Sequence, residues 1–166
     1  MLVQRFQKFW RYNNWAWEHV YQSVKKLEEE ELRKERGFFW GSMYGTLAHC
    51  VAAEIIWIER LNGNNPKKLL GEEDFPSLEH LIQARKEVQA RWEKYVGQLT
   101  NKEVMQTITY TSTEGEVRQQ LIADIIQHIG NHSTEHRSQI SPILFELGVP
   151  TDELDFIFYC NLHEPT

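Results

Sequence analysis

The feature that most constrains this chain is a helical stripe between residues 121 and 147 in which histidines occupy core positions. Leu121, Ile125, Ile129, His132, His136, Ile140, Ile143 and Leu147 follow one another by steps of three and four. At about 100° per residue they all fall within an arc of about 100°, the width of one buried helix face. Such a stripe demands partner helices to cover it. It also demands something to satisfy two imidazoles set among isoleucines, because an unpaired buried polar group costs roughly 1–3 kcal/mol. His128 lies on the flank of the arc, about 40° from His132, where a supporting or surface role is expected.

The partner helices are legible. Phe6, Trp10, Asn13, Trp17, Val20, Val24 and Leu27 form the seam of a long first helix. Its one polar member, Asn13, is either an exposed amide or a buried one that sets register. A second helix runs from about Ser42 to Asn62 and ends at NGNNP, where Gly63 can cap and Pro66 cannot continue. Its middle, LAHCVAAEIIWI, holds only His49 and Glu54 as strongly polar residues, so deep burial is expected. The third helix starts at Ser77 with Leu81, Val88, Trp92, Val96 and Leu99 as its stripe. The connection 63–76 is long for a bundle loop and suited to border a functional mouth.

Residues 103–118 are rich in β-branched side chains around Glu114-Gly115 and read as a short hairpin. The fourth helix is expected from near Val117 to Leu147, kinked or divided at Pro142 and stopped at Gly148. A final short helix capped by Thr151, with Asp152 and Glu153 in its first turn, would return DFIFYC to the core. The fold class expected is all-α: a four-helix bundle with a small hairpin insertion and a short C-terminal helix, in one domain over residues 1–166.

Composition narrows the functions available. A formal charge of −6, with no basic cluster interleaved with aromatics, argues against a nucleic-acid surface. No apolar run suits a membrane span, and the amino terminus lacks the pattern of a secretory signal, so a cytoplasmic protein is expected. Cys50 and Cys160 have no pairing logic and are expected to be reduced. The mixed run EEEELRKER reads as a solvated helix end or loop.

His132 and His136, at i and i+4, are about 6 Å apart along the helix axis and can converge on one ion. A first-row divalent metal needs a third protein ligand. His49 suits best, on a buried face with Gly45, Ala52, Ala53 and Ile56 as small or slim neighbours; His19, His80 and His163 sit in polar surroundings and are expected to be exposed. The alternative, core histidines satisfied by hydrogen bonds, stays open on the spacing alone. His132-Ser-Thr-Glu135-His136 also fits HxxEH, the inverted zinc-protease pattern, but too little chain follows to carry that family's second ligand helix. No Glu has a His three residues later, as a di-iron bundle requires, and there is no GxGxxG, Walker loop or GxSxG. Glu54 and Glu135 are candidate proton carriers or plain salt-bridge partners; Arg137 points away from the stripe, towards another helix.

Taken together, WGSMYGTLAHCVAAEIIWIERLNG, HIGNHSTEHRSQISPILFELGVPTDELDF and RYNNWAW resemble the DinB/YfiT-like family. The resemblance places His49 on that family's first metal ligand and His132 and His136 on the other two. Ser138 departs from the glycine often found there. The resemblance implies up-down-down-up connectivity, a homodimer, and a divalent ion such as zinc or nickel with positions left open. It further implies a small-molecule substrate and a low-molecular-weight thiol cosubstrate, as in the family's bacillithiol S-transferases and mycothiol-dependent isomerases. Alternatives are a metal-dependent hydrolase, or a non-catalytic dimeric bundle with a structural metal. Three neutral imidazoles leave a cation's charge uncompensated, which favours deprotonation of a coordinated thiol or water.

Overall fold

The computed structural model describes residues 2–163, and its helices follow the apolar stripes closely. Helix α1 (Leu2–Val24) buries Trp10, Asn13, Trp17, Val20 and Val24 of the seam expected of it, while Phe6 is half-buried and Leu27 lies past the helix end. A short helix α2 (Glu29–Arg33) precedes α3 (Met43–Leu61), whose first turn is capped by the Ser42 side chain accepting from the Gly45 N–H at 2.9 Å. In α3 only His49, Ile55, Trp57 and Glu59 escape full burial, as its nearly uncharged middle requires. Helix α4 (Leu78–Gln98) is capped by Ser77 and buries Leu81, Val88, Trp92 and Val96. Strands β1 (Thr107–Thr111) and β2 (Val117–Leu121) pair antiparallel, Thr107 against Leu121 and Thr111 against Val117. Gly115, at φ 85°, takes the left-handed turn between them. Helix α5 (Ile122–Glu146) and the short α6 (Phe156–His163) complete the order.

Side-chain contacts fix the direction of each long helix. The Trp10 and Trp92 rings stack 4.5 Å apart, and Gln7 donates to the Val96 carbonyl while Asn14 reaches Glu93, so α1 and α4 are antiparallel. Phe9 lies against Gly130 and Asn13 bonds Arg137, so α1 and α5 run parallel. Trp57 contacts His128 while His49 contacts His132, which makes α3 and α5 antiparallel. Tyr44 donates to the Phe75 carbonyl and Trp92 to the Glu54 carbonyl, so α3 and α4 run the same way. The connectivity is therefore up-down-down-up.

Five local expectations are corrected. The fourth long helix starts at Ile122 rather than near Val117, because residues 117–121 give their backbone groups to β1. Of the kink or division expected at Pro142, the division does not occur: the carbonyl that this proline leaves without a donor is that of Ser138, an exposed residue open to water. The last helix begins at Phe156 and not at Thr151. Residues 150–154 are instead strapped to α1, with Ser23 donating to the Pro150 carbonyl, Tyr12 to the Leu154 carbonyl, and His19 meeting the Asp152 carboxylate at 2.9 Å. That contact leaves His19 half-buried rather than exposed. The charge run 28–36 is more than solvated chain: Leu32 is wholly buried, and the Arg33 guanidinium lies 3.5 Å from the Tyr44 ring centre while pairing with Glu29 and Glu72.

Among the described residues no helix is long and apolar enough to cross a membrane. Cys50 and Cys160 are both free thiols.

Candidate metal centre

The antiparallel pairing of α3 with α5 brings His49 opposite His132 and His136. The His49 and His132 Nε2 atoms are 2.8 Å apart and those of His136 and His132 3.2 Å. One nitrogen from each ring lies within 4.8 Å of the other two, and no further His, Cys, Asp or Glu among the described residues joins this group, which could hold a metal ion. His136 is buried, while His49 and His132 are partly exposed, so the cluster sits where the bundle interior meets solvent. His128 is exposed, its ring 5.8 Å from that of His132, and it stays outside the cluster.

Protonation follows from the surroundings. The His136 Nδ1–H donates to Gln139 Oε1 at 2.9 Å, an assignment that turns the Nε2 lone pair towards the other two rings. Burial pushes His49 down to about 4, with His136 adding to the effect, and His132 down to about 3, with His136, His49 and His128 contributing. These two rings are neutral at pH 7. Neutral imidazoles whose ring nitrogens crowd together repel through their lone pairs unless a proton or a cation lies between them. Ligand nitrogens bound tetrahedrally at about 2.0–2.1 Å stand roughly 3.3 Å apart; the donor type and the 3.2 Å pair fit a first-row divalent ion, and the His49–His132 pair, at 2.8 Å, has to open by about half an ångström to take one.

Beside His49 a recess of about 70 Å³ is lined by Trp40, Gly45, Leu70, Gly71 and Glu72. Three of these residues come from the 63–76 connection, which does border the cluster. Glu72 is held by Arg33, and Trp40 lies flat on His49 at 3.8 Å between ring centres and 17° between planes. Sequence reasoning missed Trp40, Glu72 and Gln139. The two loop residues carry no periodicity to betray them, whereas Gln139, three positions after His136, was within reach of the helix-neighbour rule.

The other polar candidates serve the interior. Glu54 forms a buried ion pair with Arg85, and Arg85 also donates to Asn14 at 3.3 Å. Burial pushes the Glu54 carboxyl up, against the pull of Arg85, Arg137 and the Asn13 amide. Asn13 takes the buried option of its two readings: it accepts from Arg137 Nη1 at 2.7 Å. Arg137 thus anchors α1, as its helical position implied. Glu135 is exposed, as is Ser138, so the departure at Ser138 costs no close packing.

The profile of the DinB family matches residues 1–166. The chain is similar to the Protein DinB of Bacillus subtilis (strain 168), 23% identical over 159 residues that span 92% of this chain and 91% of that protein.

Proposed function

Because the chain belongs to the DinB family, we propose that residues 1–166 act as one DinB-like domain that binds a divalent ion, zinc or nickel, through His49, His132 and His136. The reaction we assign is transfer of a low-molecular-weight thiol of the bacillithiol type to a small electrophile, by a homodimeric protein. The observation that carries this reading is a cluster of three imidazole nitrogen donors with no fourth protein ligand among the described residues, opening beside a recess. Structural metal sites close their coordination sphere with four protein ligands, and reactive ones leave a position for water or substrate. The absence of a fourth ligand among the described residues therefore favours the enzyme over a bundle with a purely structural metal.

The residues divide the work. Gln139 holds the His136 proton on Nδ1 and so keeps Nε2 a donor. Burial keeps His49 and His132 unprotonated at neutral pH, ready to ligate. A divalent cation held there would supply positive charge that lowers the pKa of a thiol or water beside it. Leu70 and Trp40 give the recess an apolar lining, and Glu72 gives it one carboxylate that can accept a proton.

The test is metal analysis of protein purified without a histidine tag, followed by conjugation assays with several thiols. One ion per chain and thiol-dependent turnover that disappears on chelation and returns with metal are expected. Turnover unchanged after complete metal removal would exclude the mechanism.

A further inference from the structure

The three rings of the cluster are not held alike. Metal-ligating histidines give their second ring N–H to an acceptor that fixes their orientation. His136 has Gln139 for this purpose. His49 does not: its Nδ1 is buried and has no hydrogen-bond partner. What it has is the indole of Trp40, stacked at 3.8 Å and 17°. A near-parallel stack at this distance leaves the imidazole little room to tilt out of plane.

Trp40 is itself built into place. Gly37 and Gly41, at φ 71° and 74°, bracket the Phe38-Phe39-Trp40 tip. The Gly41 N–H donates to the Phe38 carbonyl at 2.9 Å, and the Ser42 N–H donates to the Trp40 carbonyl at 2.9 Å. That carbonyl sits so close to α3 that a Cβ on Gly45 would meet it at 2.1 Å. The glycine at 45 therefore lets the loop approach within stacking range of the next turn, where His49 stands.

We infer that Trp40 is a positioning residue for the candidate metal centre, fixing the plane of His49 by stacking where the hydrogen bond is missing. The inference rests on the metal reading above. The indole is only partly buried.

The experiment is zinc titration against a chromophoric competitor, together with NMR of the His49 ring protons, on the full chain and on Trp40→Leu, Trp40→Phe and Gly45→Ala. Trp40→Leu should weaken zinc binding about 10- to 100-fold, the usual loss when an orienting partner is removed, with the melting temperature of the metal-free protein unchanged. Trp40→Phe should restore most of the affinity, and Gly45→Ala should reproduce the loss with the indole still present. The His49 ring protons, shielded by the indole, should move downfield in Trp40→Leu. A folded Trp40→Leu protein that binds zinc within twofold of the parent overturns the inference. If the parent takes up neither zinc nor, in the same assay, nickel, the metal reading fails instead. The ring protons then decide the stacking alone: an unmoved His49 signal in Trp40→Leu overturns it, and a downfield shift upholds it.

Discussion

His132 stands within hydrogen-bond distance of both its companions, 2.8 Å from His49 and 3.2 Å from His136, so it is the residue whose loss most damages the cluster. His132→Ala is expected to abolish stoichiometric metal and turnover while leaving the helical circular dichroism intact, because the side chain is only partly buried. Metal content equal to that of the parent would count against the assignment. Glu54 behaves differently from the ligand His49, although both are polar residues on α3. Glu54→Ala leaves Arg85 buried without its carboxylate, and breaking a buried pair from one side costs about 3–5 kcal/mol, to be read from urea denaturation. Metal binding should survive in that variant wherever it remains folded. The sequence offered His49 as the third ligand by residue type and small neighbours, and left Glu54 open between a proton carrier and a salt-bridge partner. Both are isolated polar residues in an apolar helix, and only the identity of what faces them, two imidazoles or a guanidinium, separates a ligand from a structural ion pair.

The long helices were legible because burial repeats at helical spacing in each of them, and period is a property of the chain alone. Short elements lack that redundancy. Helix α2 spans Glu29–Arg33, less than two turns, and is surrounded by charges that suggest solvent; its membership in the core rests on one side chain, Leu32. Leu32→Ala should cost about 2–5 kcal/mol, a loss out of proportion to an exposed charged loop and measurable as a lower denaturation midpoint. A change below half a kcal/mol would return the segment to the surface. At Gly130 in α5 the close approach to α1 is equally specific: a Cβ there would meet the Phe9 ring at 2.1 Å. Gly130→Ala should destabilise by about 1–3 kcal/mol unless that ring moves aside, although alanine is intrinsically the better helix former. The boundary of α5 escaped sequence reading for a related reason. Whether residues 117–121 continue a helix or pair as a strand depends on Thr107–Thr111, a partner that local periodicity does not include.

For the molecule as a whole, burial of neutral histidines ties stability to pH. His49 and His132 titrate at about 4 and about 3 in the folded chain, against about 6.5 when unfolded. In that interval these two rings bind more protons in the unfolded chain than in the folded one. The stability these rings contribute is therefore complete above about pH 6.5 and is lost as pH falls towards their folded values. The metal-free protein should melt at a lower temperature at pH 5 than at pH 7.5, and His49→Gln combined with His132→Gln should flatten that dependence. A metal that binds only the folded state adds about 2.7 kcal/mol at a hundred times its Kd, so zinc should raise the melting temperature and acid should reverse the gain as protons compete for the nitrogens.

Taken alone, the sequence determined the periods: where long helices run, which faces they bury, and that His132 and His136 share one of those faces. These follow from backbone geometry acting over a few turns, which every residue carries locally. The tertiary structure decided what lies opposite. That His49 reaches the pair across the bundle, that Trp40 lies on it, and that Glu54 meets Arg85 instead all depend on residues brought together from distant segments. Such pairings are set by how whole helices pack and in which direction they run, and helical spacing holds no record of either.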